Sequence, residues 1–269
     1  MNDISLCNKN LSIKEIQSIE IEILDYVVAI CEKHNLKYFL CAGTLLGAIR
    51  HKGFIPWDDD IDIVMPRPDY EILLDILQKQ NDGKFQILVP NKDGYYYEFA
   101  KVVDSTTIVD QANADNIKNL GIWIDIFVLD ALNPQDKWHD LLLKFYQRCR
   151  VASIYKVLPK KCGVFKYPLS LYCKLCRMIG WEYFLGKILK LSKKYNYDST
   201  DYIGYAPSIM NNKCMPKEWF SETVMVIFEH KTYKAPKEWD KYLTALYGNY
   251  MALPPIENRI PHSVMAFKK

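Results

Sequence analysis

The sequence lacks the features that mark membrane-spanning, secreted and low-complexity proteins. No uninterrupted apolar run approaches the ~18 residues that cross a bilayer, and residues 1–14 are polar, without the apolar core of a signal peptide. Neither repeats nor biased tracts are visible. We therefore expect a cytoplasmic protein, either free or in peripheral contact with the inner face of the membrane.

Paired cysteines and a strong excess of charge are lacking too. The eight cysteines follow no framework, and the one close pair, Cys173 and Cys176, has no second pair to complete a zinc site. We expect ordinary buried thiols and a reducing compartment. A net charge of +3 on 269 residues predicts no nucleic-acid partner.

What the sequence does contain is a dense chemical pattern between residues 38 and 65. An apolar strand breaks at Gly43 and Thr44 into a helix-like run, and a turn then leads to a second apolar strand. Four aspartates precede or open that strand: Asp58, Asp59, Asp60 and Asp62. Strand residues two apart share a face, so Asp60 and Asp62 are expected to point the same way.

Carboxylates at this density repel one another, by roughly 4 kcal/mol for two charges about 4 Å apart at an effective dielectric constant of 20. A hard divalent cation such as Mg²⁺ relieves that repulsion. The alternative is an acidic turn exposed to water. Because the cluster adjoins a strand and follows a Gly-Thr turn at a helix start, the pattern favours Mg²⁺ or Mn²⁺.

A further carboxylate lies in the most apolar predicted strand of the chain. Residues 121–129 are almost continuously apolar and β-branched, which predicts a central strand, and Asp125 lies in its middle. Carboxylates are rarely buried unless they are paired or bind a metal. Asp125 is therefore a candidate third metal ligand, or alternatively the partner of a Lys or Arg.

Several other residues are candidates for binding the substrate. The Gly43–Thr44 break would leave backbone N–H groups free at a helix start, where phosphate binds, although such a pair is also a common tight turn. Arg50 ends the same helix and either neighbours phosphate or is exposed to water. Lys101, inside an apolar strand, either reaches solvent or holds an anion.

The remaining pattern predicts helices around a sheet. Ser12 and Glu15 form a capping-box pattern before an apolar stripe at helical spacing, and residues 134–196 are helical in character. From 141 to 200 there are thirteen Lys or Arg against two acids. That basic segment is either a helical face exposed to water or a surface for a membrane or an anionic polymer.

Five blocks of the sequence resemble the LicD family of phosphotransferases, which includes bacterial cholinephosphotransferases and, more distantly, fukutin and fukutin-related protein. The blocks run from Gly43 to Arg50, Phe54 to Asp62, Phe99 to Val102, Ile122 to Asp130 and Tyr247 to Pro255. They span nearly the whole chain in order. Val128 departs from the proline that many relatives carry there.

The resemblance implies an α+β fold, with a nucleotidyltransferase-like mixed β-sheet flanked by helices. Residues 1–269 would form a single domain carrying a basic helical subdomain at about 134–200. In this family a Gly-Ser or Gly-Thr turn holds phosphate, here Gly43 and Thr44. An Asp-x-Asp pair and a third Asp hold the metal ion and carry catalysis, here Asp60, Asp62 and Asp125.

The same resemblance implies the reaction. Phosphocholine, or a related alcohol phosphate such as ribitol phosphate, would move from a CDP-alcohol to a hydroxyl of a lipid-linked cell-surface glycan, with release of CMP. Asp125 would be the general base, with Asp58 and Asp59 as weaker candidates. Lys101 and Arg50 would stabilise the developing negative charge.

Two other functions remain open at this point. A nucleotidyltransferase on the same scaffold would attach a nucleoside monophosphate and release pyrophosphate, and a non-catalytic binding module would do neither.

If the donor is CDP-choline, its trimethylammonium group needs aromatic faces. Trp57, with the tyrosines at 95–97, is the candidate cage, although Trp57 could equally pack against the aspartate loop.

Overall fold

The structure is a computed structural model that describes residues 10–80, 83–110, 117, 120–154, 166–206, 214–259 and 265–269. Its contacts divide the chain into two compact units. The first unit comprises Met1–Val89, Phe99–Leu129 and Pro216–Lys269, and the second comprises Pro90–Glu98 and Asp130–Met215. The second unit contains the expected helical segment, and a single domain spanning both units stays a prediction.

The described residues form seven α-helices and eleven β-strands. The helices are α1 (Ile13–Lys33), α2 (Ala42–Arg50), α3 (Arg67–Lys79), α4 (Lys137–Ile154), α5 (Lys166–Ile179), α6 (Trp181–Ser192) and α7 (Trp239–Tyr247). The strands are β1 (Phe39–Leu40), β2 (Asp62–Pro66), β3 (Phe85–Leu88), β4 (Ala100–Asp104), β5 (Thr107–Asp110), β6 (Trp123–Ala131), β7 (Tyr202–Gly204), β8 (Met215–Pro216), β9 (Thr223–Phe228), β10 (Lys231–Pro236) and β11 (Met265–Lys268).

The first unit is built on a mixed sheet with the strand order β1-β2-β6-β4-β3. Strands β2 and β6 run parallel, and the other neighbours in this order are antiparallel. The strand predicted at 121–129 is therefore central, as expected, because β6 lies between β2 and β4. Two smaller sheets pair β9 with β10 and β5 with β11. These elements confirm the predicted α+β, nucleotidyltransferase-like class.

Local sequence signals account for the helices of the first unit. The Ser12 hydroxyl accepts the Glu15 N–H at 3.4 Å, and Glu15 Oε2 accepts the Ser12 N–H at 2.8 Å, so the predicted capping box is present. Helix α3 has a proline in its first turn. It buries four apolar residues at helical spacing, Tyr70, Leu73, Leu74 and Leu77.

The connection after β3 differs from the sequence pattern at two places. Residues 95–103 predict one strand, but β4 covers only Ala100–Asp104, and residues 91–95 form a turn in which the Asn91 N–H donates to the Tyr95 carbonyl at 3.1 Å. Residues 104–107 predict a loop, but β5 begins at Thr107. Its partner β11 lies at the far end of the chain, so no local pattern marks it.

The second unit is mainly helical, and β7 pairs with the last two residues of β6. The sequence predicts helices at 135–155 and 181–195 here. Helix α4 begins at Lys137 and α6 ends at Ser192, and Tyr155 lies outside the described residues. Arg150 of α4 is buried and pairs with Glu98 at 2.7 Å. None of the described helices is both long enough and apolar enough to cross a membrane.

Candidate active site

Three ionisable side chains lie in one row across the central strands of the first unit. Asp62, at the start of β2, is the register partner of Asp125 on β6, and Asp125 is the partner of Lys101 on β4. Residues directly opposite each other on neighbouring strands project from the same face of a sheet. The row therefore places two carboxylates and an ammonium side by side.

Lys101 is buried, with 3% of its surface exposed, and forms a salt bridge with Asp125. Its ammonium nitrogen also lies 4.2 Å from the ring centroid of Trp123 and 5.2 Å from that of Phe99. Of the two alternatives predicted for Lys101, the structure has the second. Lys101 does not reach solvent but holds an anion, the Asp125 carboxylate. For Asp125 the sequence left a metal ion or a basic residue as the partner, and in this structure the partner is the basic residue Lys101.

The two carboxylates of the row are hard to ionise. Burial raises the pKa of Asp62 well above its usual range, and the charges of Asp60 and Asp125 raise it further. Burial also raises the pKa of Asp125, while the neighbouring Lys101 ammonium opposes that rise. Asp60, which is half-buried, is therefore close enough to the row to act on both carboxylates.

Asp58 and Asp59 belong to the loop that leads into β2. Asp59 is buried, and the Asp58 carbonyl accepts a hydrogen bond from the Gln17 amide at 2.9 Å. A Cβ atom on Gly43 would lie 2.8 Å from Asp58 Oδ2. Glycine at 43 therefore lets the start of α2 approach the Asp58 carboxylate closely.

The first turn of α2 ties the predicted phosphate site to the carboxylate row. The buried Thr44 hydroxyl accepts the N–H of Asp62 at 2.8 Å, which fixes the first residue of β2. Ala42 has a φ of 45°, a left-handed conformation that costs a residue with a Cβ some energy. The structure thus gives Thr44 a positioning role, and binding of phosphate by Gly43 and Thr44 stays a prediction.

Arg50 and Trp57, two further candidates for binding the substrate, both lie near Arg259. Arg50 Nη1 donates to the Tyr250 carbonyl at 2.8 Å, so the guanidinium holds the C-terminal segment. Burial lowers the pKa of Arg50, and the charge of Arg259 lowers it further. The Arg259 guanidinium lies 5.2 Å from the ring centroid of the half-buried Trp57.

Sequence reasoning missed Glu20, Tyr247 and Arg259. Glu20 of α1 is buried, and its Oε2 has no hydrogen-bond partner. Burial and then the charges of Asp60, Asp59 and Asp58 raise its pKa. Burial and the charge of Asp62 likewise raise the pKa of Tyr247.

A signal for one of these residues was present in the sequence. Glu20 sits four residues after Ile16 and three before Ile23, inside the apolar stripe of α1. A carboxylate in an apolar stripe predicts a buried partner or a site. No comparable pattern marks Arg259, because it follows an irregular segment.

The donor atoms fit a hard divalent cation in their chemistry. Asp60, Asp62 and Asp125 supply only carboxylate oxygens, which Mg²⁺ prefers. Burial disfavours the charged forms of Asp62 and Asp125 and raises their pKa. Among the residues that the structure describes, however, no three His, Cys, Asp or Glu side chains are arranged to hold a metal ion. The Lys101 ammonium supplies the positive charge beside Asp125 instead.

Comparison with known proteins relates the chain to transferases. A family profile described as "LicD/FKTN/FKRP, nucleotidyltransferase domain" matches residues 35–156. The lipopolysaccharide cholinephosphotransferase LicD of Haemophilus influenzae is 32% identical over 265 residues, which cover 95% of this chain and 97% of that protein. The ribitol 5-phosphate transferase FKRP is similar over 119 residues, 44% of this chain and 22% of FKRP, at 29% identity in Mus musculus and 48% in Homo sapiens.

Proposed function

Since this chain belongs to the LicD family of transferases, we propose that it transfers phosphocholine, or a related alcohol phosphate, from a CDP-activated donor to a hydroxyl of a cell-surface glycan. CMP is the leaving group, so the phosphorus that carries the alcohol is attacked. The observation that carries the proposal is the row of Asp62, Asp125 and Lys101 across three neighbouring strands.

Asp125 is the general base of the proposed reaction. Its carboxylate would take up the proton of an attacking hydroxyl that lies within hydrogen-bond distance. Lys101 holds this carboxylate in one orientation through their ion pair. When the base takes up a proton, the Lys101 charge becomes available to the negative charge that develops on the transferred phosphoryl group.

Asp60, Asp62 and Asp125 would hold the Mg²⁺ or Mn²⁺ ion that the family resemblance implies. When bound, such an ion neutralises charge on the donor phosphates and orients the reacting phosphorus. Thr44 fixes Asp62 by accepting its N–H, so the turn after β1 keeps one carboxylate in place.

The remaining candidates bind the donor. Gly43 and the first turn of α2 offer backbone N–H groups to a diphosphate. Arg50 and Arg259 repel each other in the structure, and an anion between them would relieve that repulsion. The ring of Trp57 packs against one cation, Arg259, and the same aromatic surface suits a trimethylammonium group.

The test is product analysis with CDP-choline, CDP-ribitol and CDP-glycerol, each labelled in the cytidine. Incubation with Mg²⁺ and a glycan acceptor should release CMP from at least one of them, and CTP should yield no pyrophosphate. Asp62→Asn should lower the rate by about a hundredfold or more, because the substitution removes charge with little change in volume.

Asp25→Asn is the matched control. Asp25 is an aspartate of the first unit that bonds to Lys231 and Tyr233, and its substitution should leave CMP release unchanged. Pyrophosphate release from nucleoside triphosphates, without CMP release from any CDP-alcohol, would identify a nucleotidyltransferase and overturn the proposal.

A further inference from the structure

Helix α4 in the second unit turns an apolar face outward. Four large apolar residues at helical spacings of three and four are exposed, each with 41–76% of its surface accessible: Trp138, Leu141, Leu142 and Phe145. A helix that packs on a protein core ordinarily buries such a stripe. Nothing in the described part of the second unit covers it.

The opposite face of α4 is buried although much of it is polar. His139, Gln147 and Arg150 are among its buried residues. His139 Nε2 lies 2.9 Å from the Leu191 carbonyl, and Arg150 pairs with Glu98. The exposed apolar face is therefore not the result of a helix that failed to pack, because the other face has specific polar partners.

Helix α5 repeats the arrangement. Leu171, Leu175, Met178 and Ile179 follow the same helical spacing and are 51–76% exposed. On its other side α5 buries Cys173 and Cys176. We call the four exposed apolar residues of α4 and the four of α5 together the outward face.

Basic residues accompany the outward face. Lys174 and Arg177 alternate with the apolar residues of α5, Arg148 follows the stripe on α4, and all three are exposed. Between 166 and 194 the sequence has seven Lys or Arg and a single acid, Glu182. An apolar stripe bordered by lysine and arginine is the pattern of a helix that lies in the plane of an anionic membrane surface.

We propose that the outward face of α4 and α5 docks on an anionic lipid leaflet, with its apolar side chains at the boundary between headgroups and acyl chains. The surplus of positive charge selects lipid phosphates. Trp138 suits that boundary, because its ring is apolar and its N–H is polar. The proposal does not depend on the proposed transferase activity, since its readout is binding alone.

Cosedimentation of the full chain with vesicles tests it. The chain should bind to phosphatidylcholine vesicles that contain about a quarter phosphatidylglycerol. It should bind much less to vesicles of phosphatidylcholine alone. Binding should weaken as salt rises from about 50 to about 500 mM, because the charges are exposed and screened.

Two variants separate the apolar and the charged contributions. Leu175→Ser with Met178→Gln should lower the partition coefficient by about tenfold or more, because apolar contact with the acyl region is lost. Lys174→Gln with Arg177→Gln should lower it by about twentyfold. Ile72→Ser on α3, where the native side chain is 49% exposed, is the control and should bind as the wild type does.

Three results would overturn the proposal. The first is the absence of vesicle binding at low salt, and the second is equal binding by the wild type and both double variants. The third is a dimer in sedimentation velocity that Leu175→Ser with Met178→Gln dissociates, which would assign the outward face to a second copy of the chain.

Discussion

At the scale of single residues, the row of Asp62, Asp125 and Lys101 places three ionisable groups in a buried part of the first unit. An ion pair in such a place gains little net stability, because desolvation offsets most of the attraction between the charges. Removing only one partner is a different matter, because the other charge is then buried alone. Removing one member of the Lys101–Asp125 pair is therefore expected to lower the free energy of unfolding strongly, whereas replacing both members should change it little.

Lys101→Met should lower the free energy of unfolding by about 3–5 kcal/mol, because it leaves Asp125 buried without its partner. Adding Asp125→Asn should recover part of that loss. Urea denaturation at neutral pH measures both. Lys79→Met breaks an exposed pair with Asp75 and should cost less than about 1 kcal/mol. Equal losses for Lys101→Met and Lys79→Met would contradict this account of the row.

Glu20 makes stability depend on pH in a predictable direction. Its pKa in the folded state is raised by burial and by the charges of Asp60, Asp59, Asp58 and Asp125. A carboxyl with a raised folded pKa contributes most to stability below its unfolded pKa. That contribution is lost as the pH rises through the folded pKa, since the unfolded chain releases its proton first.

Glu20→Gln removes this ionisation and should raise the free energy of unfolding at pH ~7 by about 1–3 kcal/mol in metal-free buffer. At pH ~4 the variant and the wild type should be nearly equal, because Glu20 is then largely protonated even when unfolded. Thermal unfolding across that range measures the difference. A variant that is less stable than the wild type at neutral pH would show that Glu20 has an essential charged partner.

At the scale of elements, the first turn of α2 depends on one close approach. Gly43→Ala would place a Cβ 2.8 Å from Asp58 Oδ2 and should displace that carboxylate. We expect CMP release to fall by about tenfold or more with little change in the unfolding temperature. Gly186→Ala on α6, where a Cβ would meet only the Asn91 amide at 3.7 Å, should instead stabilise the chain slightly.

Elements and their caps could be predicted because their causes lie within a few residues. The Ser12–Glu15 box, the buried stripe of α3 and Gly248 at the end of α7, with a φ of 68°, all follow from neighbours in the chain. Residue spacing predicted that Asp60 and Asp62 share a face. It did not indicate that Asp62 would lie opposite Asp125, because strand register is fixed by packing between distant segments.

The ion pair of Asp125 shows the same limit. A lone aspartate in an apolar strand predicts a partner but does not identify it, so the sequence left a metal ion and a basic residue as alternatives. The register that places Lys101 opposite Asp125 decides the partner in this structure. Whether Asp60, Asp62 and Asp125 also hold Mg²⁺ stays a proposal, and metal titration of Asp62→Asn against the wild type tests it.

At the scale of the whole molecule, the chain leaves its first unit twice, for residues 90–98 and 130–215, and returns to it each time. The last strand, β11, pairs with β5. It also accepts the Leu11 N–H at the Ala266 carbonyl, at 2.8 Å. The C-terminal residues thus hold together segments from the beginning and the middle of the chain.

Deleting residues 265–269 should lower the midpoint of urea unfolding, because it removes both the β5 pairing and the contact with Leu11. The truncated chain should also aggregate on concentration, since β5 would present an unpaired strand edge. Lys268→Ala keeps the strand backbone and is the control. Unchanged solubility and an unchanged midpoint after the deletion would show that β11 is dispensable.

The pairing of β5 with β11 also bears on how the protein is made. A ribosome adding about 5–20 residues per second needs about 10–30 s after β5 emerges before β11 is available. During that interval the nascent chain carries an open strand edge, which invites association with other chains. Slower translation late in the message should therefore lower the yield of soluble protein, and a chaperone that shields nascent chains should restore it.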